Sequence, residues 1–410
     1  MKRRILIGLI CLLAAGSLLA DPAVSLSRVA QRYPWNGLVD IDYMVSDVGD
    51  PDFYSLALSL TAGGTKYDLT TFQGGAPAVS NGTYHVVWNA AADGVTAVSK
   101  EAIFAIDLMY HPIASDGDYM IVDVSGGTNA AIWQVTYMSD VADPAATFNT
   151  DEYKTTKLVF KKVKAGSFWM GSTPDKTSSY YDDMASFSGF NNEGPRHYVQ
   201  LTKDYYLMLF QLTSRQYELM TGAMTPYNRQ YYSTKPKLTA GGISKDMVNA
   251  ETSPILALNF RARCAGLARA RFDLPTEAQW EYACRAGTTT RYYFGDDPAA
   301  LADHAWYTDK TTPPSWGHNV QEPGLLLPNP WGFYDMYGNQ GQLMKDESNT
   351  YAEGDETHPV VDPCYTKPGG NIIYRGTGPW GSAASNRSSA RSYTTAASTS
   401  CCLRLAFTCE

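Results

Sequence analysis

Positive charge is in short supply in this chain. Its 410 residues carry 33 Lys and Arg against 41 Asp and Glu, a net charge of −8. Without a basic surface it cannot hold nucleic-acid phosphates, so no nucleic-acid partner is expected. No apolar run after residue 20 is long enough for a membrane span. Histidine is sparse, and His85, His111, His197, His304, His318 and His358 show no metal-ligand spacing. None of the seven cysteines stands in a C-x-x-C pair, which argues against zinc. The G-x-S-x-G turn of a Ser-His-Asp hydrolase is missing as well. Helix signals are few after Gly295, where glycine, proline, serine and threonine punctuate the chain.

What is present begins with an export signal. Lys2, Arg3 and Arg4 precede an apolar run over 5–13 and small residues over 14–20, the order of a secretory leader. An exported protein with no membrane span after cleavage is expected. Six cysteines remain beyond the leader, Cys264, Cys284, Cys364, Cys401, Cys402 and Cys409, and their pairing cannot be read from spacing. About 390 residues are more than one core usually covers, so two domains are expected.

Residues 21–150 alternate apolar and polar over 38–45, 54–60, 84–89, 102–108 and 120–124. Gly63-Gly64, Gly74-Gly75, Asn81-Gly82 and Gly126-Gly127 separate these runs. Short strands with such turns predict an all-β, immunoglobulin- or fibronectin-like sandwich. His85 and His111 fall in it as structural residues. A polar, acidic linker over 144–156 leads to a second domain over 151–410.

The second domain carries two capping boxes, Thr213 with Gln216 and Thr276 with Gln279. The first predicts a helix ending at Gly222, the second a helix ending at Gly287. Asn259 is expected to cap a third helix reaching about Ala270. Residues 173–192 read as a long surface loop.

Motif order says more than periodicity. Phe168-Trp169-Met170-Gly171-Ser172, Glu193-Gly194-Pro195-Arg196-His197, and the run 272–295 with Leu274-Pro275-Thr276-Glu277 follow one another. Next come Trp331-Gly332-Phe333-Tyr334-Asp335-Met336-Tyr337-Gly338-Asn339, Arg375-Gly376, Arg387-Ser388-Ser389-Ala390-Arg391 and Leu403-Arg404. From about Leu158 onward this resembles the formylglycine-generating, or sulfatase-modifying-factor, family. The resemblance implies an α+β, C-type-lectin-like fold with few regular elements.

The same resemblance implies a chemistry, and the chain departs from it. Active members oxidise a sulfatase cysteine to formylglycine with two cysteines that bind copper, since soft thiolates select Cu(I). Here the segment 375–391 has no cysteine, and the two positions fall near Gly381 and at Asn386. Copper is therefore not expected. The family's calcium segment implies Asp335, the carbonyls of Gly338 and Gln340, and Gln342 as ligands. Gln342 stands where the family has Glu, so only a weak calcium site is implied. Asp273 replaces an Arg before Leu-Pro-Thr-Glu. Iron sulfoxide synthases share the domain but draw their histidines from an added helical bundle that this chain does not suggest.

The expected function is a non-catalytic binding or structural module. Trp380, Gly381, Asn386, Arg387 and Arg391 would line the old substrate groove, which would take a protein or carbohydrate ligand. The alternative is a formylglycine-generating or related metal-dependent oxidoreductase acting on an exported protein.

Overall fold

The computed structural model describes residues 23–408 apart from 33–35, 49–53, 63, 74–76, 96–101, 111–116, 131, 173–192, 226–234, 251, 265–270, 309–319, 368 and 399–400. The expected leader, His111, His318, Cys409 and the loop 173–192 lie outside the described residues, as does the side chain of Cys264. The chain forms two compact units, Met1–Ala114 and Ser115–Glu410.

The first unit is all β among its described residues. Its strands are β1 (Ala23–Gln31), β2 (Leu38–Ser46), β3 (Tyr54–Ala62), β4 (Thr65–Asp68), β5 (Phe72–Gln73), β6 (Gly82–Asn89) and β7 (Ile103–Tyr110). They form two antiparallel sheets, ordered β1-β2-β6-β5 and β4-β3-β7. Period-2 alternation decides the faces. Val39, Ile41, Tyr43 and Val45 of β2 point into a core shared with Leu58, Leu60, Trp88 and Phe104. Asp40 and Asp42 point out, pairing with Arg32 at 2.9 Å and Arg28 at 3.2 Å. His85 lies between the two carboxylates, 2.5 Å from Asp42 and 3.4 Å from Asp40. The buried Trp88 indole donates to Asp93 at 2.6 Å. Burial would raise the Asp93 carboxyl, but donors on Thr70, Thr71 and Trp88 hold it well below its ordinary value.

The second unit is α+β. Its first strands are β8 (Tyr119–Asp123), β9 (Val135–Met138), β10 (Lys157–Val163), β11 (Gly166–Met170), β12 (His197–Leu201), β13 (Tyr205–Met208) and β14 (Phe272–Asp273). The later ones are β15 (Gly341–Glu347), β16 (Val360–Val361), β17 (Ile372–Arg375), β18 (Arg391–Thr394), β19 (Cys401–Cys402) and β20 (Ala406–Thr408). Helices α1 (Pro144–Phe148), α2 (Ser214–Thr221), α3 (Lys245–Asn249), α4 (Pro254–Cys264) and α5 (Glu277–Arg285) are short.

An antiparallel sheet, β14-β20-β13-β10-β8-β9, divides two cores. In β10, Leu158 and Phe160 face one core and Val159 and Val163 the other. In β13, Tyr206 and Met208 oppose Tyr205 and Leu207 in the same way. Burial on both faces accounts for the unbroken apolar stretches Leu158-Val159-Phe160 and Tyr205-Tyr206-Leu207-Met208. Helices α2 and α4 cover one face through Tyr217, Met220 and Leu258. Helix α5 belongs to the other core through Ala278, Trp280 and Cys284. Two smaller sheets, β11-β12-β16 and β18-β17-β15-β19, complete the unit.

Several expectations need correction. The strand expected over 120–124 forms, but it pairs with β10. The unit boundary therefore falls at 114/115 and not near 150. Asn259 does not cap a helix. It lies inside α4, and its amide bridges the backbone N–H and C=O of Phe272, each at 2.8 Å. The local start is Ser253-Pro254, where the Ser253 hydroxyl accepts from Ile255 N–H and proline opens the helix. Both capping boxes form as their sequences require. The second helix ends one residue early, with Ala286 in the left-handed region at φ 48° ahead of Gly287.

Candidate functional site

Helix α5 is the element from which the site is built. Its Thr276 cap and Gln279 side chain close the N-terminus, at 3.1 and 3.0 Å. Glu277 and Glu281 are four residues apart, so both project from one face. Both are buried, which is tolerable only if cations and N–H groups meet them. Glu277 accepts from Arg375 Nε at 2.8 Å and from Arg391 at 3.1 and 2.6 Å. Glu281 takes Arg285 Nε and the Gly171 N–H, each at 2.9 Å, and Arg375 at 3.1 Å. Burial alone would raise the Glu281 carboxyl, and Arg285 and Arg375 overcome it, holding it below its ordinary value. A third carboxylate, Glu193, holds Arg387 at 2.9 and 2.7 Å and accepts from Ser172 and Ser389.

These pairs give the family-type arginines a structural place. Arg387 and Arg391 are 1% exposed and bonded to Glu193 and Glu277. They do not line a groove, contrary to the sequence expectation. Of the other three, Gly381 and Asn386 meet at Thr377, and Trp380 precedes Gly381 in the chain. Trp380 is 48% exposed, and its ring lies over Gly378, 2.9 Å from where a Cβ would be. Asn386 is fully buried. It accepts from the Thr377 hydroxyl at 2.9 Å and donates to Ser382 O at 2.8 Å. A Cβ on Gly381 would fall 2.4 Å from the Thr377 hydroxyl oxygen. Thr377 thus fills the space between the two positions that carry thiols in the resemblance. It does so at φ 41°, a strained conformation for a β-branched residue. Sequence reading did not single out Thr377; its place directly after Arg375-Gly376 was the available signal.

Among the described side chains, Cys364 is exposed and Cys284 is buried. Cys401 and Cys402 are buried. Burial pushes the Cys284 thiol up to about 12, and that of Cys402 well above its ordinary value. Cys364 is raised to about 11 by burial and by Asp346. A thiol so raised is almost entirely protonated at neutral pH and is a poor nucleophile and metal ligand.

The residues expected to hold calcium also come together, with a different occupant. The carbonyls of Asp335, Gly338 and Gln340 converge on the side-chain nitrogen of Gln211, at 3.2, 3.3 and 3.0 Å. Gln342 aims its own amide nitrogen at the carbonyls of Asp335 and Met336, at 3.1 and 3.3 Å. Its oxygen already accepts from Trp280 at 2.9 Å and Arg404 at 2.6 Å. Buried Arg404 also donates to the carbonyls of Met208, Leu209, Tyr334 and Asp335. Burial lowers Arg404 to about 10, against the pull of Asp335. Burial raises the Asp335 carboxyl to about 6, against the Gly324 N–H and Arg404. A calcium ion at these carbonyls would share the Asp335 carbonyl with the buried Arg404 guanidinium, and Gln342 offers it no carboxylate. Gln211 had no signal in the sequence, because its partners are more than 120 residues away in the chain. Asp273, where an Arg was expected, pairs with Lys345 at 2.8 Å, so the reversed charge is met locally.

Comparison with known proteins matches residues 144–406 to the family model described as a sulfatase-modifying factor enzyme 1-like domain. A stretch of 102 residues is 28% identical to the formylglycine-generating enzyme of Mycobacterium tuberculosis, covering 25% of this chain and 27% of that protein. The aligned part thus spans about a quarter of that relative. Among solved structures, PvdO from Pseudomonas aeruginosa is 21% identical with a TM-score of 0.46, covering 61% of this chain and 94% of that one. Treponema denticola variable protein 1 is 17% identical with a TM-score of 0.47, covering 62% and 95%. A structure of CarF is 14% identical with a TM-score of 0.40, covering 61% and 97%.

Proposed function

The chain belongs to the sulfatase-modifying factor enzyme 1-like domain family, and from that premise we propose that it is a non-catalytic member, a binding module built on the family's scaffold. One observation carries this reading: Thr377 occupies the space between Gly381 and Asn386, held by a hydrogen bond to the buried Asn386 amide. A hydroxyl and an amide are poor ligands for Cu(I) and cannot exchange with a substrate thiol. The exposed Trp380 ring of the same segment suits contact with a ligand, protein or carbohydrate. The basic and apolar start of the chain supports export. No described helix is long and apolar enough to cross a membrane.

The first unit is proposed as an immunoglobulin-type sandwich that carries or spaces the second. Its sheet orders support this. β1-β2-β6-β5 has the order of strands A, B, E and D, and β4-β3-β7 places the third strand beside the seventh, as C lies beside F.

Copper titration tests the proposal. The purified mature protein is expected to show no stoichiometric Cu(I) binding that thiol alkylation removes. Tight, thiol-dependent binding of one Cu(I) per chain would favour the oxidoreductase reading. Rebuilding the thiol pair is expected to need three changes, Gly381→Cys, Asn386→Cys and Thr377→Ala, because a Cβ at 381 collides with the Thr377 hydroxyl.

A further inference from the structure

Four carbonyls of one short segment, those of Asp335, Met336, Gly338 and Gln340, are gathered around two side-chain amide nitrogens. The backbone is bent to do this. Asp335, Gly338 and Asn339 have φ of 52°, 68° and 60°, and only Gly338 adopts such a value without cost. Converging carbonyl dipoles repel one another, so the arrangement needs a positive centre. Three carbonyls on the Gln211 nitrogen exceed its two protons, so one proton is shared between two carbonyls.

We propose that Gln211 and Gln342 stand in for a bound cation at the 335–340 turn, making its fold independent of calcium. Charge supports the substitution. Arg404 already donates to Asp335 O at 3.2 Å, so a divalent ion at the carbonyls would face a buried guanidinium. Gln342 offers that guanidinium a neutral oxygen where a carboxylate would have balanced it. Asp335 is the acidic side chain on the turn; its Oδ2 is taken by the Gly324 N–H at 2.7 Å, and its Oδ1 is buried with no hydrogen-bond partner among the described residues. Two neutral amides supply the N–H groups that the carbonyls need without adding charge.

The test uses the full mature chain, melted in EDTA and in millimolar CaCl2. The unchanged protein is expected to melt at the same temperature in both, and calorimetry is expected to detect no calcium binding. Gln211→Glu places carboxylate oxygens against the carbonyls. It is expected to melt lower in EDTA and to recover by about 3–8 °C with calcium, as a ligand that binds only the native state requires. Magnesium should recover less, since it demands a tighter octahedral shell. A calcium-dependent rise in the unchanged protein, or stoichiometric binding to it, would overturn the proposal. So would a Gln211→Glu protein that folds and ignores calcium. If that variant fails to fold without the ion, Gln211→Met reads the same point. It removes the donors at similar size, and an unaltered melting temperature would count against the proposal.

Discussion

Replacing Glu277 with alanine is expected to cost about 3–5 kcal/mol of stability, the scale for breaking a buried ion pair by removing one partner. Glu277 is 2% exposed and bridges two guanidiniums, Arg375 and Arg391, which are themselves 0% and 1% exposed. Arg375 keeps Glu281, at 3.1 Å, whereas Arg391 loses this carboxylate, and Asn349 and the Tyr351 ring beside it are neutral. Removing Glu277 therefore takes a charged partner from each of two buried cations. Glu277→Gln keeps the shape and loses the charge, and is expected to be nearly as costly. Glu152→Ala serves as a control, since its pair with Lys157 is half exposed and is worth about 0–1 kcal/mol. Denaturant unfolding of the three variants checks this. Equal, small losses for Glu277→Ala and Glu152→Ala would show that the buried frame does not hold the unit together.

Replacing Trp280 with alanine is expected to cost a similar amount, about 3–5 kcal/mol, through a cavity in the core beneath the site. Trp280 is fully buried, the Arg375 guanidinium lies 5.7 Å from the centre of its ring, and its N–H holds the oxygen of Gln342. The indole thus packs the core and orients the amide that serves the 335–340 turn. Thr276→Ala gives the scale: it loses one cap on the same helix and should cost about 1 kcal/mol. Thermal and urea melts of the two variants compare them directly. A Trp280→Ala loss no larger than that of Thr276→Ala would mean that the indole is not a packing centre.

The legible parts of the fold were those decided within a few residues. Each capping box lies inside one turn, so Thr213-Gln216 and Thr276-Gln279 could be read without knowing what the helices pack on. The alternation of β2 was likewise local. The misread parts depend on distant partners. Asn259 looks like a cap, but its amide belongs to Phe272. Residues 119–123 look like one more strand of the first unit, and only pairing with β10 assigns them to the second. Arg387 and Arg391 are the sort of residues that grip a ligand, yet their carboxylates, Glu193 and Glu277, come from segments far earlier in the chain. The missing thiols could be read from the sequence directly. Thr377 filling their place could not, because that requires the geometry of three residues around one hydroxyl.

The central claim is that the scaffold of a thiol-oxidising family persists here without its chemistry. It is tested most directly by incubating the mature protein with a cysteine-containing sulfatase peptide, Cu(I) and oxygen, and searching for the peptide aldehyde by mass spectrometry. The peptide is expected to keep its thiol, with no aldehyde above the level of a protein-free control. Aldehyde formed in proportion to added protein, and abolished by alkylating its cysteines, would contradict the account.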